Sequence, residues 1–134
     1  MRIMKYRAIS ENHLYLKAYS KGKKVVGRNI IVYVLKDYLS EKLRLENPQK
    51  KKINRVGLTV TKKNGKAVVR NRIKRIIREA YRQTDTEYNI KKGYLIVIVA
   101  KISAADKKTD DIKKDLIYAM KKLSMIDVSS DNLK

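Results

Sequence analysis

The sequence predicts an α+β protein, a two-layer α/β sandwich whose elements run α-β-β-β-α-β-α around a small mixed sheet. Three observations predict it. Apolar residues recur with helical period in 10–21, 66–83 and 109–123, whereas 55–61 alternates and 25–35 and 93–100 are dense in β-branched residues. The chain has 134 residues and no internal repeat, which suits one domain with an ordinary core. The longest apolar stretch, "YLIVIVA" at 94–100, is far too short to cross a bilayer. The expected organisation is one domain over 1–126, interrupted by an extended connection at 36–53 and followed by a polar tail at 127–134.

Taken in order, Ser10 is placed to cap a first helix carrying Leu14, Ala18 and the i, i+4 pair Tyr15 and Tyr19, with Gly22 at its left-handed end. "VVGRNIIVYVL", 25–35, reads as a strand or a bent pair of strands broken at Gly27. Residues 36–53 hold the single proline, Pro48, and a "KKK" run, and read as a short helix and an exposed loop. "RVGLTVT", 55–61, is the next strand, and Asn64-Gly65 marks a tight connection into helix 66–83. "GYLIVIVA", 93–100, is apolar on both faces, as a central strand covered on two sides would be. Thr109 can cap the last helix, with Asp110 and Asp111 in its first turn and Ile112, Leu116, Met120 and Leu123 as its stripe.

Charge narrows the function. There are 34 Lys plus Arg against 13 Asp plus Glu, a formal +21, so the compact chain repels itself unless a polyanion is bound. Nucleic acid fits better than a membrane surface, which calls for a basic amphipathic helix with large exposed apolar groups. From Lys50 to Arg82 there are thirteen Lys or Arg and one acid, Glu79, while six of the 13 acids lie at or after Asp106. The absence of cysteine excludes disulfides, thiolate metal sites and a Cys nucleophile, and agrees with a cytoplasmic protein. The lone histidine, His13, has no partner at metal-site or acid/base spacing, and Asp110 and Asp111 suit a helix start better than a cage. No catalytic side chain and no metal ligand are therefore expected.

On a helical wheel, Val69, Ile73, Ile76, Ile77 and Ala80 fall in one sector of helix 66–83, which must face the sheet. Asn71, Lys74, Arg75, Arg78 and Arg82 fall opposite, with Arg70 and Arg72 on the shoulders. A solvated helix usually interleaves signs at i, i+4, gaining about 0.2–0.5 kcal/mol per pair, and prefers anions at its start. This one repeats cations and opens with Lys66. Phosphate relieves both penalties, and the preference for Arg over Lys favours forked contacts to phosphate or base edges. The helix is expected to bind nucleic acid.

The segment "RVGLTVTKKNGKAVVRNRIKRIIREAYR", 55–82, resembles the signature segment of the protein subunit of bacterial ribonuclease P, through "KK.G.AVVRNR.KR.IRE" in order and spacing. "ENHLYLKAYSKG", "GRNIIVYVL" and "LIVIVAKISA" extend the likeness over most of 5–123. The resemblance implies a left-handed βαβ crossover, as in the second domain of ribosomal protein S5. It also implies a role beside a catalytic RNA that uses Mg²⁺ to hydrolyse the 5′ leader from precursor tRNA in the bacterial cytoplasm, with no membrane and no obligate protein partner. Carried onto this chain, the RNA-binding surface comprises Lys62, Lys63, Lys66, Arg70, Asn71, Arg72, Lys74, Arg75, Arg78 and Arg82. The leader cleft comprises Tyr15, Tyr19 and Tyr33, with Lys17, Arg28 and Lys101 supplying charge. Tyrosine at 15 and 19, Lys66 and Lys101 depart from the family's usual Phe, Phe, Asn and Arg, and the 36–53 connection is longer than is typical. A structural ribosomal protein of similar shape and charge is the alternative.

Overall fold

The computed structural model describes residues 6–38 and 53–126, so most of the 36–53 connection and the 127–134 tail lie outside the described residues. Strands β1 (Tyr6–Ala8), β2 (Lys23–Val26), β3 (Ile30–Lys36), β4 (Asn54–Thr59) and β5 (Tyr94–Ala100) form one sheet in the order β1-β4-β5-β3-β2. β1 and β5 pair parallel with β4, and β3 pairs antiparallel with both β5 and β2, so the sheet is mixed. Among the described residues three α-helices accompany it, α1 (Asn12–Lys21), α2 (Ala67–Tyr88) and α3 (Thr109–Lys122).

The side-chain alternation of the strands sorts the apolar residues into two cores. Ile30, Val32, Val34, Val56, Ile96 and Ile98 point to one face, where Ile73, Ile77 and Ala80 of α2 and Ile112, Leu116 and Met120 of α3 cover them. Leu95 and Val97 point to the other, under Leu14 and Ala18 of α1. β5 is thus covered on both sides over Leu95–Ile98, as its unbroken apolar run requires. Tyr81 is buried on the first face, stacks edge-on with Tyr6 at 5.1 Å and accepts a 3.1 Å hydrogen bond from Asn54 Nδ2. Burial pushes its hydroxyl pKa well above the ordinary tyrosine value.

Four details differ from the sequence reading. The element order begins with an extra strand, β1, three residues with an arginine at the centre, too short and too polar to show a period. The 25–35 run, by contrast, is the expected bent pair of strands, with Gly27 in the turn between them. Glu11, not Ser10, occupies the N-cap of α1, and Lys108, not Thr109, that of α3. Gly22 ends α1 at φ −76°, outside the left-handed region, and a side chain there would meet Ala18 O at 2.5 Å. Finally, α2 continues past Gln83 to Tyr88 and stops where Asn89 turns left-handed at φ 53°. Buried Asp85 closes this end by accepting the Ile90 N–H at 3.0 Å and a bond from Lys92 Nζ.

Candidate nucleic-acid interface

The start of α2 is fixed by one buried side chain. Asn64 accepts the Thr61 N–H through Oδ1 at 2.9 Å and donates from Nδ2 to Lys101 O at 2.9 Å, tying the turn after β4 to the end of β5. Gly65 then takes φ 129°, a conformation that favours glycine, and the helix begins. Its N-cap, Lys66, supplies no side-chain bond and its first turn holds no acid, so the leading N–H groups face outward beside cations. Lys62, Lys63, Lys66, Asn71, Arg75 and Arg78 are exposed, and Lys74 is half-buried. Together they form a continuous surface from the turn along the outer side of α2.

The remaining helix cations differ in what they touch. Arg72 folds back onto the segment after β5, donating to Ala105 O at 3.1 Å and Lys107 O at 2.9 Å. Arg82 is engaged by Glu79 in a forked ion pair, which holds its pKa above the ordinary arginine value. Arg70 is half-buried, and its Nε is buried with no hydrogen-bond partner among the described residues. The expectation of one uniform stripe is corrected accordingly: the wheel gave the direction of these side chains but not the carbonyls and carboxylate within their reach.

The tyrosines do converge. Tyr15 lies half-buried against the backbone of Gly57, where a Cβ would fall 2.6 Å from its ring. Burial raises the Tyr15 pKa, opposed by a backbone hydrogen bond at Leu58. Tyr19 meets Tyr33 edge-on at 5.0 Å and hydrogen-bonds Thr59 Oγ1 at 2.5 Å. By cross-strand register Thr59, Val99, Ile31 and Val26 share one row of this sheet face, next to the row of Gly57, Val97, Tyr33 and Lys24. Lys24 places its ammonium 6.0 Å from the Tyr33 ring. Packing and an open rim coexist here, because α1 covers the Leu95 and Val97 end while Tyr19 and Val26 remain exposed.

The three cations expected beside this cleft are placed elsewhere. Lys17 lies roughly 160° around α1 from both Tyr15 and Tyr19 at 3.6 residues per turn. Lys101 Nζ is engaged by Gly27 O at 3.1 Å. Arg28 is exposed on the β2–β3 turn, toward α3. Two further residues border the tyrosines, Lys24 and Thr59. Lys24 precedes the 25–35 run, and Thr59 belongs to the polar set of the alternating 55–61 run, so their meeting with Tyr33 and Tyr19 is visible only in the register.

His13 is exposed and lies 3.4 Å from Glu11. Among the described residues no three His, Asp or Glu side chains gather as a metal cage would. No helix among them is long and apolar enough to cross a membrane.

A basic α+β fold with an uncompensated helix surface and an aromatic cleft at the same end defines the class, a protein built to meet a polyanion. The Ribonuclease P family model matches residues 3–124. The ribonuclease P protein component of Clostridium botulinum is 37% identical over 119 residues, covering 89% of this chain and 96% of that protein. That of Listeria monocytogenes is 36% identical over 117 residues, 87% of each chain. Among solved structures, a Staphylococcus aureus RNase P protein superposes with a TM-score of 0.71 at 28% identity, over 92% of this chain and all of that one. The Thermotoga maritima RNase P protein, at 23% identity and a TM-score of 0.60 over 78% of this chain and 86% of that one, is a likeness of fold. The chain belongs to the ribonuclease P protein family, and as a member of it takes part in removing 5′ leaders from precursor tRNA. The alternative of a structural ribosomal protein is not favoured.

Proposed function

We propose that the two surfaces divide the work of an RNA-based endoribonuclease in the bacterial cytoplasm. Lys62, Lys63, Lys66, Asn71, Lys74, Arg75 and Arg78 dock on the catalytic RNA, with Arg70 at their edge. The cleft of Tyr15, Tyr19 and Tyr33 receives the single-stranded leader, with Lys24 and Thr59 at its rim. The observation that carries this reading is the exposed row of cations with no ion pair among the described residues and no acid in the first turn of α2, beginning at the end of the sheet where Tyr19 and Thr59 meet. Backbone phosphates release counterions on binding such a row, and bases stack on aromatic rings at about 1–3 kcal/mol each.

In this reading the polypeptide contributes no catalytic side chain. Mg²⁺ held on the RNA supplies the activated water and stabilises the leaving oxygen. The protein's cations lower the repulsion between two RNAs, which strengthens both substrate and metal-ion binding. Reconstitution with a ribonuclease P RNA at low Mg²⁺ tests this. Stimulated cleavage of precursor tRNA is expected, and no stimulation would sink the reading. Tyr19→Ala should weaken binding of precursor tRNA by about 1–3 kcal/mol while sparing mature tRNA, which has no leader to stack. Equal losses for both would return Tyr19 to a packing role.

A further inference from the structure

At the corner where the β2–β3 turn faces α3, a groove of about 680 Å³ opens between Val26 and Arg28 on one bank and Lys114 and Tyr118 on the other. Tyr118 is 50% exposed, and Lys122, one turn on, sets its ammonium 5.7 Å from the ring. Two acids line the groove, and both are occupied by backbone donors. Asp115 is buried and accepts the Asn29 N–H at 2.7 Å, and Asp111 accepts the Lys108 N–H at 3.0 Å. The side chains of Arg28 and Lys114 make no hydrogen bond or ion pair among the described residues.

The turn that presents Arg28 is rigid. Ser103 Oγ donates to Arg28 O at 3.1 Å, Lys101 Nζ donates to Gly27 O at 3.1 Å, and the Gly27 N–H donates to Ile30 O at 2.8 Å. A cation held in place by its own backbone loses less entropy when it binds. An exposed ring flanked by three cations, with both acids already engaged by backbone N–H groups, is the chemistry of a base-stacking platform beside a phosphate track. Val26 lines the groove and also belongs to the sheet row of Ile31, Val99 and Thr59, so only the β2 edge lies between the groove and the tyrosine cleft.

We propose that the Tyr118 groove is a second station for single-stranded RNA, which takes the part of a 5′ leader that runs beyond the Tyr19 and Tyr33 cleft around the β2 edge. This rests on the leader reading of the cleft. The leader stacks one base on Tyr118 while Arg28, Lys114 and Lys122 meet its phosphates.

The test measures the affinity of the reconstituted holoenzyme for precursor tRNAs whose leaders are extended one nucleotide at a time. The wild-type chain should gain affinity in two steps, first as the leader fills the cleft and again as it reaches Tyr118. Tyr118→Ala should remove the second step, a loss of about fivefold or more, and leave the first intact. Tyr118→Phe should keep both, and Arg28→Ala should shrink the second and reduce its salt dependence. Persistence of the second step in both Tyr118→Ala and Arg28→Ala, each melting like the wild type, or its absence from the wild type, overturns the proposal. A groove that serves a protein instead would give one of those results. If Tyr19→Ala leaves the first step unchanged, the leader reading of the cleft is what fails.

Discussion

The two faces of the sheet use the same strands for different ends. On one, α2 and α3 close over Ile30, Val32, Ile96 and Ile98, and the apolar side chains of the strands end in helix. On the other, the ten-residue α1 covers Leu95 and Val97 and leaves Tyr33, Ile31, Val99 and Thr59 at the margin of its reach. The lesson is that a single alternating strand can build a core with one set of residues and a site with the next. The same division runs through the cations of α2: Arg72 and Arg82 are held by carbonyls and a carboxylate, whereas Arg75 and Arg78 are left outward.

The closed face should be the costliest to disturb. Ile98→Ala leaves a cavity against α2 and α3 and should destabilise by about 2–5 kcal/mol in chemical unfolding. A loss below 1 kcal/mol would mean that this face is not a close-packed core. Next in size, Arg72→Ala removes two charge-assisted hydrogen bonds to Ala105 O and Lys107 O, at a cost of about 1.5–3 kcal/mol. A stability unchanged from wild type would place Arg72 with the outward cations instead.

On the open face, Gly57→Ala forces a methyl to within 2.6 Å of the Tyr15 ring, which must move. Overpacking of this kind costs about 1–3 kcal/mol. Because the clash is with one side chain, the double variant with Tyr15→Ala should recover part of the loss that Gly57→Ala causes beside the intact tyrosine. Additive losses in the cycle would show that Gly57 is constrained by something other than Tyr15.

Much of this division was legible before the structure. Period alone places Ile73, Ile76, Ile77 and Ala80 inward and Asn71, Arg75 and Arg78 outward, and the doubly apolar β5 sits between neighbours on both sides. The tyrosine cleft was legible from i, i+4 spacing together with a family resemblance. The rest was hidden for particular reasons. Strand β1 owes its pairing with β4 to tertiary context, since Tyr6, Arg7 and Ala8 have no period to read. Arg72 and Lys101 are long enough to reach carbonyls that are 33 and 74 residues away in the chain, and no local pattern reports that. Arg28 sits in a turn whose facing helix, α3, comes some eighty residues later.

Arg75→Ala should have the smallest effect on the fold and therefore gives the cleanest reading of the partner. Its side chain is exposed and has no ion pair among the described residues, so unfolding stability should change by no more than about 0.5 kcal/mol. Binding to the catalytic RNA should nonetheless weaken to a similar extent for every sequence tested, and the slope of log affinity against log salt should flatten by about 1 if the guanidinium meets one phosphate. Arg72→Ala, measured alongside, should lose stability while keeping the wild-type slope, because its guanidinium is already committed to Ala105 and Lys107. If the two variants exchanged these behaviours, the division between cations held by the fold and cations left for RNA would be drawn through the wrong residues, and α2 would meet its partner on the side that faces the segment after β5.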